Sequence, residues 1–355
     1  MTLTDLGYNN ELEKYRQEQN LTAFEIGRVT QEHKDRYKVS TGATEWDCEL
    51  IGNLRYTAQD RSDLPAVGDW VAFAEYDEGK ALIHAVLPRH YTLERQAVGK
   101  FGEKQIIATN IDYGLIVQSV NRDFSINRLE RYLTLCYASN IEPIIVVSKI
   151  DLIDKQQVDV LIKEIENRIQ NVPLLSVSNA TQAGIAALKE KVYNGKTYCL
   201  LGSSGVGKSS LINSLSGKTQ MKTGAISNSI DRGKHVTTHR ELIPLVNGAI
   251  LIDNPGMREV GITETSGGIE TTFEQIQELA LQCKFSDCTH TNEKGCAIKQ
   301  AIESGTIDEA SFENYLKMER EQAHYSSTVA EKRKKEKAFG KLYKQYKKSK
   351  SRNND

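Results

Sequence analysis

The amino-acid sequence predicts a multidomain protein in which an N-terminal β-barrel precedes a central α/β domain and a C-terminal α-helical module. Three observations lead to this prediction: short strands of alternating polarity, apolar runs that alternate with amphipathic helices around a glycine-rich loop, and a late cluster of cysteine and histidine. We expect the domain boundaries at residues 1–95, 96–262 and 263–355. A chain of 355 residues is long enough for two or three domains of ordinary size.

The composition is that of a globular protein, and it excludes several other classes. No apolar run reaches the roughly 20 residues that a membrane-spanning helix needs. The first residues are polar and lack the apolar core of a secretory signal, so we expect no such signal. Six cysteines in a chain of this length do not make a disulfide scaffold. We therefore expect a reducing, cytoplasmic location.

The net charge of −1 conceals an uneven distribution of charge along the chain. Residues 331–355 contain eleven Lys or Arg and three acidic residues, a net of +8, which leaves −9 on the rest of the chain. A basic tail of this kind favours an anionic partner, with nucleic acid as the first candidate. The alternative is a helix end that is simply solvated.

Residues 22–92 are predicted to form the barrel. The stretch "AFEIGRVTQEHKDRYKVSTG" alternates polar and apolar residues, "PAVGDWV" is a turn that leads into a strand, and "YDEGKA" is a hairpin signal. About five short strands in this length fit a small closed barrel. An OB-fold is the favoured prediction, and an SH3-like barrel with a structural role is the alternative.

From about residue 100 to about residue 260, short apolar runs alternate with amphipathic helices. The apolar runs include "YGLIVQSV", "PIIVVS", "VPLLSVS", "TYCLLG" and "GAILIDNPG", and "NRLERYLTLCYASN" is an example of the intervening helices. This pattern predicts a parallel sheet that is covered by helices on both faces. The stretch "TETSGGIET" at 263–271 is predicted to be a linker to the last domain.

A phosphate-binding loop is predicted at "GSSGVGKSS", which matches the pattern G-x4-G-K-[ST] and lies between a predicted strand and a predicted helix. Backbone N–H groups of such a loop and of the following helix N-terminus bind phosphate oxygens. Lys208 is expected to reach the β- and γ-phosphates, and the Ser209 hydroxyl to ligate Mg²⁺. The predicted nucleotide contacts are Gly202, Ser203, Ser204, Gly205, Val206, Gly207, Lys208, Ser209 and Ser210.

Two further motifs are predicted to respond to the γ-phosphate. Asp253 ends the apolar strand "GAILI" and is placed to hold Mg²⁺ through water, while the N–H of Gly256 in "DNPG" can contact the γ-phosphate. A threonine in the stretch "RGKHVTTHREL" can complete the Mg²⁺ coordination when γ-phosphate is present. Thr237 and Thr238 are the candidates, and Thr238 is favoured.

A base-reading site is predicted at "SKID", which ends the apolar strand "PIIVV". Asp151 can accept hydrogen bonds from the guanine N1–H and the exocyclic amine, a pair that adenine does not offer. Lys149 can lie along the base and ribose, and Ser148 opens the motif. In "SVSNA", at the end of the next strand, Ser176 and Ser178 frame a loop that can bring a backbone N–H to the guanine carbonyl.

The order of these motifs is base reader, second base loop, phosphate loop, threonine switch and DxxG. In this permuted order the sequence resembles the circularly permuted GTPases, and most closely the ribosome small-subunit-dependent GTPase A (RsgA/YjeQ) family. The resemblance covers nearly the whole chain. It implies an OB-fold barrel, a circularly permuted P-loop GTPase domain and a C-terminal zinc-binding domain, with GTP or GDP and Mg²⁺ as ligands. It also implies a monomer that binds the small ribosomal subunit and its rRNA, and hydrolyses GTP in late subunit maturation with ribosome-stimulated turnover.

The sequence departs from the family pattern at two positions. Ser148 stands where Asn or Thr is usual, and its shorter side chain predicts weaker guanine binding with specificity retained by Asp151. Met257 follows DxxG where many GTPases have a Gln that orients the attacking water, which predicts a slow intrinsic rate. His235, beside the threonine switch, is the first candidate for orienting the water, and His239 is the second.

The C-terminal module contains three cysteines and one histidine within a short stretch. The ligand set Cys283, Cys288, His290 and Cys296 matches a closed tetrahedral Cys₃His site for structural Zn²⁺. The zinc-binding domain of the family has matching residues, and all four positions match here. A metal ion is expected to stabilise a segment that is too small for a core of its own.

Two other functions stay open at this level. The first is a nucleotide-gated RNA-binding module with negligible hydrolysis, suggested by Met257 and Ser148; the second is an ATP-using P-loop enzyme, against which Asp151 argues. The chain order also suggests a mechanical hypothesis, because the DxxG motif leads directly into the Cys/His module and the base-reading half leads back to the barrel. On this hypothesis the nucleotide state moves one RNA-binding module relative to the other.

Overall fold

The computed structural model describes residues 1–33, 36–58, 61–96, 104–121, 124–217, 240–254, 267–291 and 293–326. The strands are β1 (Glu25–His33), β2 (Arg36–Ser40), β3 (Glu45–Leu50), β4 (Trp70–Asp77), β5 (Lys80–Val86), β6 (Thr92–Gln96), β7 (Lys104–Thr109), β8 (Tyr113–Ser119), β9 (Glu142–Ser148), β10 (Leu174–Val177), β11 (Thr197–Leu201), β12 (Glu241–Pro244) and β13 (Ile250–Asp253). The helices are α1 (Asn10–Glu18), α2 (Gly52–Thr57), α3 (Ile126–Ala138), α4 (Lys155–Arg168), α5 (Ile185–Glu190), α6 (Lys208–Ser216), α7 (Gly268–Thr272), α8 (Glu274–Ala280), α9 (Ala297–Glu303) and α10 (Glu309–Ser326). Within these residues, no helix is both long enough and apolar enough to cross a bilayer.

Strands β1 to β5 close into a barrel, because β1 pairs with both β2 and β4 while β3 pairs with β5. The β3–β5 pair is parallel and the other pairs are antiparallel. This five-stranded Greek-key closure is that of the OB-fold, so the favoured prediction is confirmed and the SH3-like alternative is wrong. The strands approach closely at Gly27, where a Cβ atom would lie 2.4 Å from Val39 Cγ1.

The central domain is a sheet in the order β10-β9-β8-β11-β13-β12. Strands β10, β9, β8, β11 and β13 are parallel to one another. The last strand in this order, β12, is antiparallel to β13. Residues on these strands such as Val117, Val146 and Leu200 are almost fully buried, as expected for a sheet that is covered on both faces. From β8 the chain builds outward to β9 and β10, and from β11 it builds outward to β13 on the other side. The carboxyl ends of β8 and β11 are therefore a topological switch point, where open α/β sheets bind ligands.

The barrel and the central domain share one continuous sheet. Gln31 of β1 lies opposite Glu241 of β12 in an antiparallel pairing, and the Gln31 side-chain amide donates to the Glu241 carboxylate at 2.8 Å. Next to this pair, Arg240 lies 3.7 Å from the Glu32 carboxylate and donates to the Ile106 carbonyl. The barrel is thus fastened to the edge strand of the central domain.

A buried arginine makes a second joint between the barrel and the central domain. Arg28 is 1% exposed, and its guanidinium donates to the carbonyls of Gly68, Leu6 and Asn110 and to the Thr197 hydroxyl, at 2.7 to 3.0 Å. Burial lowers the pKa of Arg28 to about 10, which leaves it charged at neutral pH. Because Thr197 begins β11, the strand that leads into the phosphate loop, this cation ties the barrel to the base of the nucleotide site.

The C-terminal module packs against α3 of the central domain. Its own apolar core includes Phe273, Ile298 and Met318. Gly268 lies so close to α3 that a Cβ atom would be 2.3 Å from the Thr134 carbonyl oxygen. The predicted linker at 263–271 is therefore wrong at its end, because α7 begins at Gly268 and packs on α3; residues 263–266 lie outside the described residues.

Candidate functional site

The phosphate loop connects β11 to α6 at the switch point of the sheet. Gly202, Gly205 and Gly207 all have positive φ, a backbone conformation that residues other than glycine rarely adopt. At Gly202 a Cβ atom would also lie 2.3 Å from the Val117 carbonyl oxygen at the end of β8. The glycines of the motif are thus required both by local conformation and by close approach to the neighbouring strand.

Lys208 begins α6, and its ammonium group is folded into the loop. It is 8% exposed and donates to the carbonyls of Gly202 at 2.7 Å and Ser203 at 2.8 Å. Burial lowers the pKa of Lys208 to about 8, against the opposing effect of the nearby Asp253 carboxylate. The following residue, Ser209, is half-buried in the first turn of the helix. A weakly solvated cation in this position is suited to bind phosphate oxygens.

Asp253 ends β13 beside the loop and is 3% exposed. Burial raises the pKa of Asp253 to about 6, while Lys208 acts to lower it and Glu241 to raise it. The Ser209 hydroxyl and the Asp253 carboxylate supply the oxygen ligands that Mg²⁺ prefers. The pair therefore fits the predicted magnesium site, which stays a prediction.

Asn254 follows Asp253 and is also buried. Its side-chain amide donates to Cys199 Sγ at 3.1 Å, and its Oδ1 has no hydrogen-bond partner within the described residues.

The structure brings the "SKID" motif to the phosphate loop. Lys149 has a positive φ of 60°, and its ammonium group donates to the Gly205 carbonyl at 2.5 Å. Asp151 is the middle residue of the 3₁₀ turn Ile150–Leu152 that follows, and its Oδ1 accepts a hydrogen bond from the Ser178 hydroxyl at 2.5 Å. Ser178 belongs to the second base loop, so the two predicted base-reading loops contact each other.

Ser148 is 1% exposed at the end of β9, and its hydroxyl lies 2.6 Å from the Val206 carbonyl oxygen and 3.2 Å from that of Gln118. The hydroxyl has a single proton, and the shorter distance favours donation to Val206. In this position the side chain ties the base-reading strand to the phosphate loop. A contact between Ser148 and guanine stays a prediction, as does its effect on affinity.

The second base loop is held by its own hydrogen bonds. The backbone N–H of Thr181 donates to the Ser178 hydroxyl, and the Ser214 hydroxyl of α6 donates to Asn179 Oδ1 at 3.0 Å. Ser176 is half-buried in β10, and Gly184 lies so close to it that a Cβ atom would be 2.0 Å from the Ser176 carbonyl oxygen. The loop is therefore fastened to the helix that follows the phosphate loop.

Several predicted residues lie outside the part of the chain that the structure describes. These are His235, Thr237, Thr238, His239, Gly256 and Met257. The basic stretch 331–355 also lies outside it. The predictions for these residues remain predictions.

Three contacts of the site were not predicted from the sequence. Buried Gln118 binds both backbone polar groups of Ser125 and so fixes the start of α3. Asn179 reaches α6, as described above. Tyr132 of α3 is buried near the phosphate loop: burial raises its pKa, and the Ser203 side chain acts to lower it. These residues lie far from their partners in sequence or belong to no recognised motif, so no local pattern indicates them.

The cysteine and histidine side chains of the C-terminal module converge at one point. All four candidate ligand atoms of Cys283, Cys288, His290 and Cys296 lie within 4.8 Å of one another. The sulfur atoms of Cys283 and Cys296 are 3.9 Å apart, and each is 3.5 Å from His290 Nδ1. Zn–S bonds of about 2.3 Å in a tetrahedron place sulfur atoms roughly 3.8 Å apart. The cluster is therefore consistent with the predicted zinc site.

We predict that guanine nucleotide binding in the presence of Mg²⁺ is tightest between about pH 6 and about pH 8. Above the pKa of Lys208 its ammonium group loses the proton that attracts phosphate, and affinity falls by up to about tenfold per pH unit. Below the pKa of Asp253 the protonated carboxyl no longer holds Mg²⁺. Titration of a fluorescent nucleotide across this range measures both limbs.

A matched variant separates the two limbs. Lys208→Arg keeps its charge at all these pH values, so its alkaline limb should disappear whatever its absolute affinity. Without Mg²⁺, protonation of Asp253 should no longer weaken nucleotide binding, so the fall in affinity at acid pH should disappear. An unchanged alkaline limb in Lys208→Arg would contradict the assignment.

We predict that Cys296→Ser or a strong chelator removes zinc from the protein and unfolds the C-terminal module, because the apolar core there is small. Metal analysis and thermal unfolding measure the two effects. Cys48→Ser is the matched control, since Cys48 is a buried cysteine of the barrel and lies outside the cluster. Equal zinc content in both variants would rule out the site.

Comparison with known sequences identifies one family across the central region. The sequence model of the RsgA GTPase family matches residues 86–263. A second model, that of the ABC transporter, matches residues 185–346. The second range includes the phosphate loop but not "SKID", and its described C-terminal part contains the Cys/His cluster instead of further parallel strands. The phosphate loop accounts for this second match.

Individual proteins give the same family over most of the chain. The small ribosomal subunit biogenesis GTPase RsgA 2 of Listeria monocytogenes (serotype 4b, strain F2365) is 43% identical over 92% of this chain and 91% of its own length. The small ribosomal subunit biogenesis GTPase RsgA 1 of Bacteroides thetaiotaomicron is 38% identical over 97% of this chain and 96% of its own length.

Solved structures share the fold. The crystal structure of YjeQ from Thermotoga maritima has a TM-score of 0.61 and 28% identity, and the match covers 82% of this chain and 96% of that one. The crystal structure of YloQ, described as a circularly permuted GTPase, has a TM-score of 0.60 and 25% identity, with 86% and 97% covered. The chain therefore belongs to the RsgA GTPase family and is a GTP hydrolase with a circularly permuted GTPase domain.

Proposed function

We propose that this protein hydrolyses GTP during late assembly of the small ribosomal subunit, with turnover stimulated by the subunit. The relatives named small ribosomal subunit biogenesis GTPase support the biological part of this proposal. The observation that carries the chemical part is the junction of Ser148 and Lys149 with the phosphate loop, because contact between the predicted base reader and the predicted phosphate site supports their binding one nucleotide together. The protein acts in the cytoplasm, as a monomer, with rRNA as its contact on the subunit.

Guanine is selected by the carboxylate of Asp151, which accepts from two donors on one edge of the base. The Ser178 hydroxyl fixes one carboxylate oxygen at 2.5 Å and so limits the rotation of the side chain. Adenine would leave this acceptor without its donors, which is a strong basis for rejection. Lys149, with its ammonium on the Gly205 carbonyl, places its hydrocarbon stem where the base and ribose can lie.

The phosphate end of the site supplies positive charge and magnesium ligands. Lys208 binds the β- and γ-phosphate oxygens and stabilises the charge that develops on the transferred group. Ser209 would supply a direct ligand to Mg²⁺, Asp253 would hold the ion through water, and Thr238, with Thr237 as second candidate, would complete the set when γ-phosphate is present. Mg²⁺, when bound, neutralises negative charge on the phosphates. The N–H of Gly256 would contact the γ-phosphate.

RNA binding is assigned to the two outer modules. OB-fold barrels use their exposed strands and loops for oligonucleotides, and the C-terminal module adds its zinc loops and the basic stretch 331–355. Counterion release from such a basic stretch makes the affinity for the subunit dependent on salt.

We predict that purified small subunits strongly stimulate GTP turnover by this protein and leave ATP turnover negligible. Turnover of both nucleotides, with and without subunits, measures this. Asp151→Ala should lose GTP binding and is the control for base selection. Tight GTP binding with no turnover in either condition would instead identify a nucleotide-gated binding module, and ATP turnover would contradict the assignment of Asp151.

We predict that His235→Ala lowers subunit-stimulated turnover by about a hundredfold, because we assign His235 the role of orienting the attacking water in place of Met257. Nucleotide affinity should stay nearly unchanged, since the imidazole acts on water and not on the nucleotide. His239→Ala is the matched control. Stimulated turnover at the parent rate in His235→Ala would remove this assignment.

A further inference from the structure

The second base loop presents the side chain of Asn179 to the phosphate loop. A Cβ atom on Gly207 would lie 3.6 Å from Asn179 Nδ2 and 3.8 Å from Lys149 Cε. The amide of Asn179 and the stem of the base-reading lysine therefore flank the same glycine. Asn179 lies where the three predicted nucleotide-binding segments meet, although its residue type was not part of any predicted motif.

Both acceptors of Asn179 are bound by other parts of the protein. Its carbonyl oxygen accepts from the Gln182 side-chain amide at 2.7 Å, and its Oδ1 accepts from the Ser214 hydroxyl of α6 at 3.0 Å. The loop is closed around it, because the Ser178 N–H donates to the Ala183 carbonyl at 2.9 Å. These bonds hold both the backbone and the side chain of Asn179 in one orientation.

The donors of Asn179 are left unpaired. Within the described residues, neither its backbone N–H nor its Nδ2 has a hydrogen-bond partner. Because Ser214 binds the amide oxygen from the side of α6, the amide nitrogen is the atom that lies toward Gly207. An asparagine whose acceptors are taken and whose donors are free offers only donors to a ligand.

Guanine has acceptors that these donors match. Its O6 and N7 atoms are adjacent acceptors, next to the N1–H and amine donors that Asp151 is predicted to bind. Ser148 is not placed to bind either acceptor, because its single hydroxyl proton is donated to the Val206 carbonyl at 2.6 Å. One residue with two unpaired donors suits one base with two adjacent acceptors.

We propose that the side-chain amide of Asn179 is a direct contact to the guanine base, in which Nδ2 donates to N7 while the backbone N–H of the same residue donates to O6. Adenine carries an exocyclic amine in place of O6, so the backbone N–H would face a second donor. The backbone contact therefore adds to the discrimination by Asp151, and the side-chain contact adds affinity. This inference rests on the proposed binding of guanine nucleotides at this site.

The first test changes the ligand and leaves the protein intact. 7-Deaza-GDP has a C–H group in place of N7 and keeps the other donors and acceptors of guanine. It should bind the parent protein about three- to tenfold more weakly than GDP, the value of one hydrogen bond. Competition of each nucleotide against a fluorescent GDP measures the two dissociation constants. Equal constants overturn the inference.

The second test changes the amide. Asn179→Ala should weaken GDP binding by a similar factor and should bind GDP and 7-deaza-GDP equally. Asn179→Asp keeps an acceptor for the Ser214 hydroxyl but places a second carboxylate oxygen where the donor was. It should bind 7-deaza-GDP more tightly than GDP, because N7 and the carboxylate oxygen are both acceptors. If Asn179 only supports the loop, each variant keeps the parent ratio of the two constants, and that outcome contradicts the inference.

The third test releases the side chain without removing its amide. Ser214→Ala removes the bond that orients Asn179, so the ratio of the two dissociation constants should fall toward one. Asn167→Asp is the matched control for the added charge, since it makes the same change at an exposed position of α4 and should keep the parent ratio. A parent ratio in Ser214→Ala would contradict the proposed orientation of the amide.

Failure of this inference and failure of the proposed function give different results. If the parent protein binds neither GDP nor 7-deaza-GDP, the proposed function fails, and the first titration shows it. If the parent binds both equally well, the proposed function stands and the contact to N7 is absent. Should a variant unfold at the assay temperature, as thermal unfolding would show, the comparison of the two nucleotides on the parent protein still decides.

Discussion

The parallel pairing of β8 with β11 is the constraint on which the rest of this structure depends. These strands begin the two halves of the permuted domain, and their adjacency places the end of the base-reading half against the phosphate loop. At this junction Gly202 passes within van der Waals contact of the Val117 carbonyl, and the Ser148 hydroxyl bonds to Val206. Both contacts need backbone at close approach, which explains a glycine in the loop and a short side chain at the end of β9. The permuted order of the motifs does not separate them in space, because the pairing of the strands brings the base reader and the phosphate loop together.

The attachments of the outer modules run against the order of the chain. The barrel leads by sequence into the base-reading half, yet it pairs through β1 with β12 and reaches the first residue of β11 through Arg28. The C-terminal module follows the DxxG motif, yet it docks on α3 of the base-reading half. The barrel is therefore bound to both halves of the domain, since Arg28 also donates to the Asn110 carbonyl just before β8, whereas the C-terminal module is bound to α3 of the half to which it is not directly connected. The hypothesis that the nucleotide state moves one module relative to the other stays a prediction.

The site was predictable wherever its chemistry is local. A loop with glycines at fixed spacing needs its positive φ values in any fold, and a carboxylate after an apolar strand lies at the edge of a sheet in any α/β protein, so Gly207 and Asp253 could be located from the sequence. Ser148 shows the limit of the same reasoning. Its motif indicates a contact with the base. In the structure its hydroxyl lies within hydrogen-bond distance of two backbone carbonyls, because the end of β9 packs against the phosphate loop. Tyr132 belongs to no motif, and only the packing of α3 brings it near the phosphate loop.

The sequence by itself determined the three-part organisation, the permuted order of the motifs and the Cys₃His ligand set, because each depends on residue type and spacing over short segments. Only the tertiary structure decided between barrel topologies, since strand order is a property of long-range pairing that short alternating patterns do not specify. It also decided where the modules attach, because Arg28 and Glu130 acquire their partners from segments far away in the chain. A buried charge must satisfy its hydrogen bonds wherever the folded chain supplies them, and the sequence around it does not say where that is.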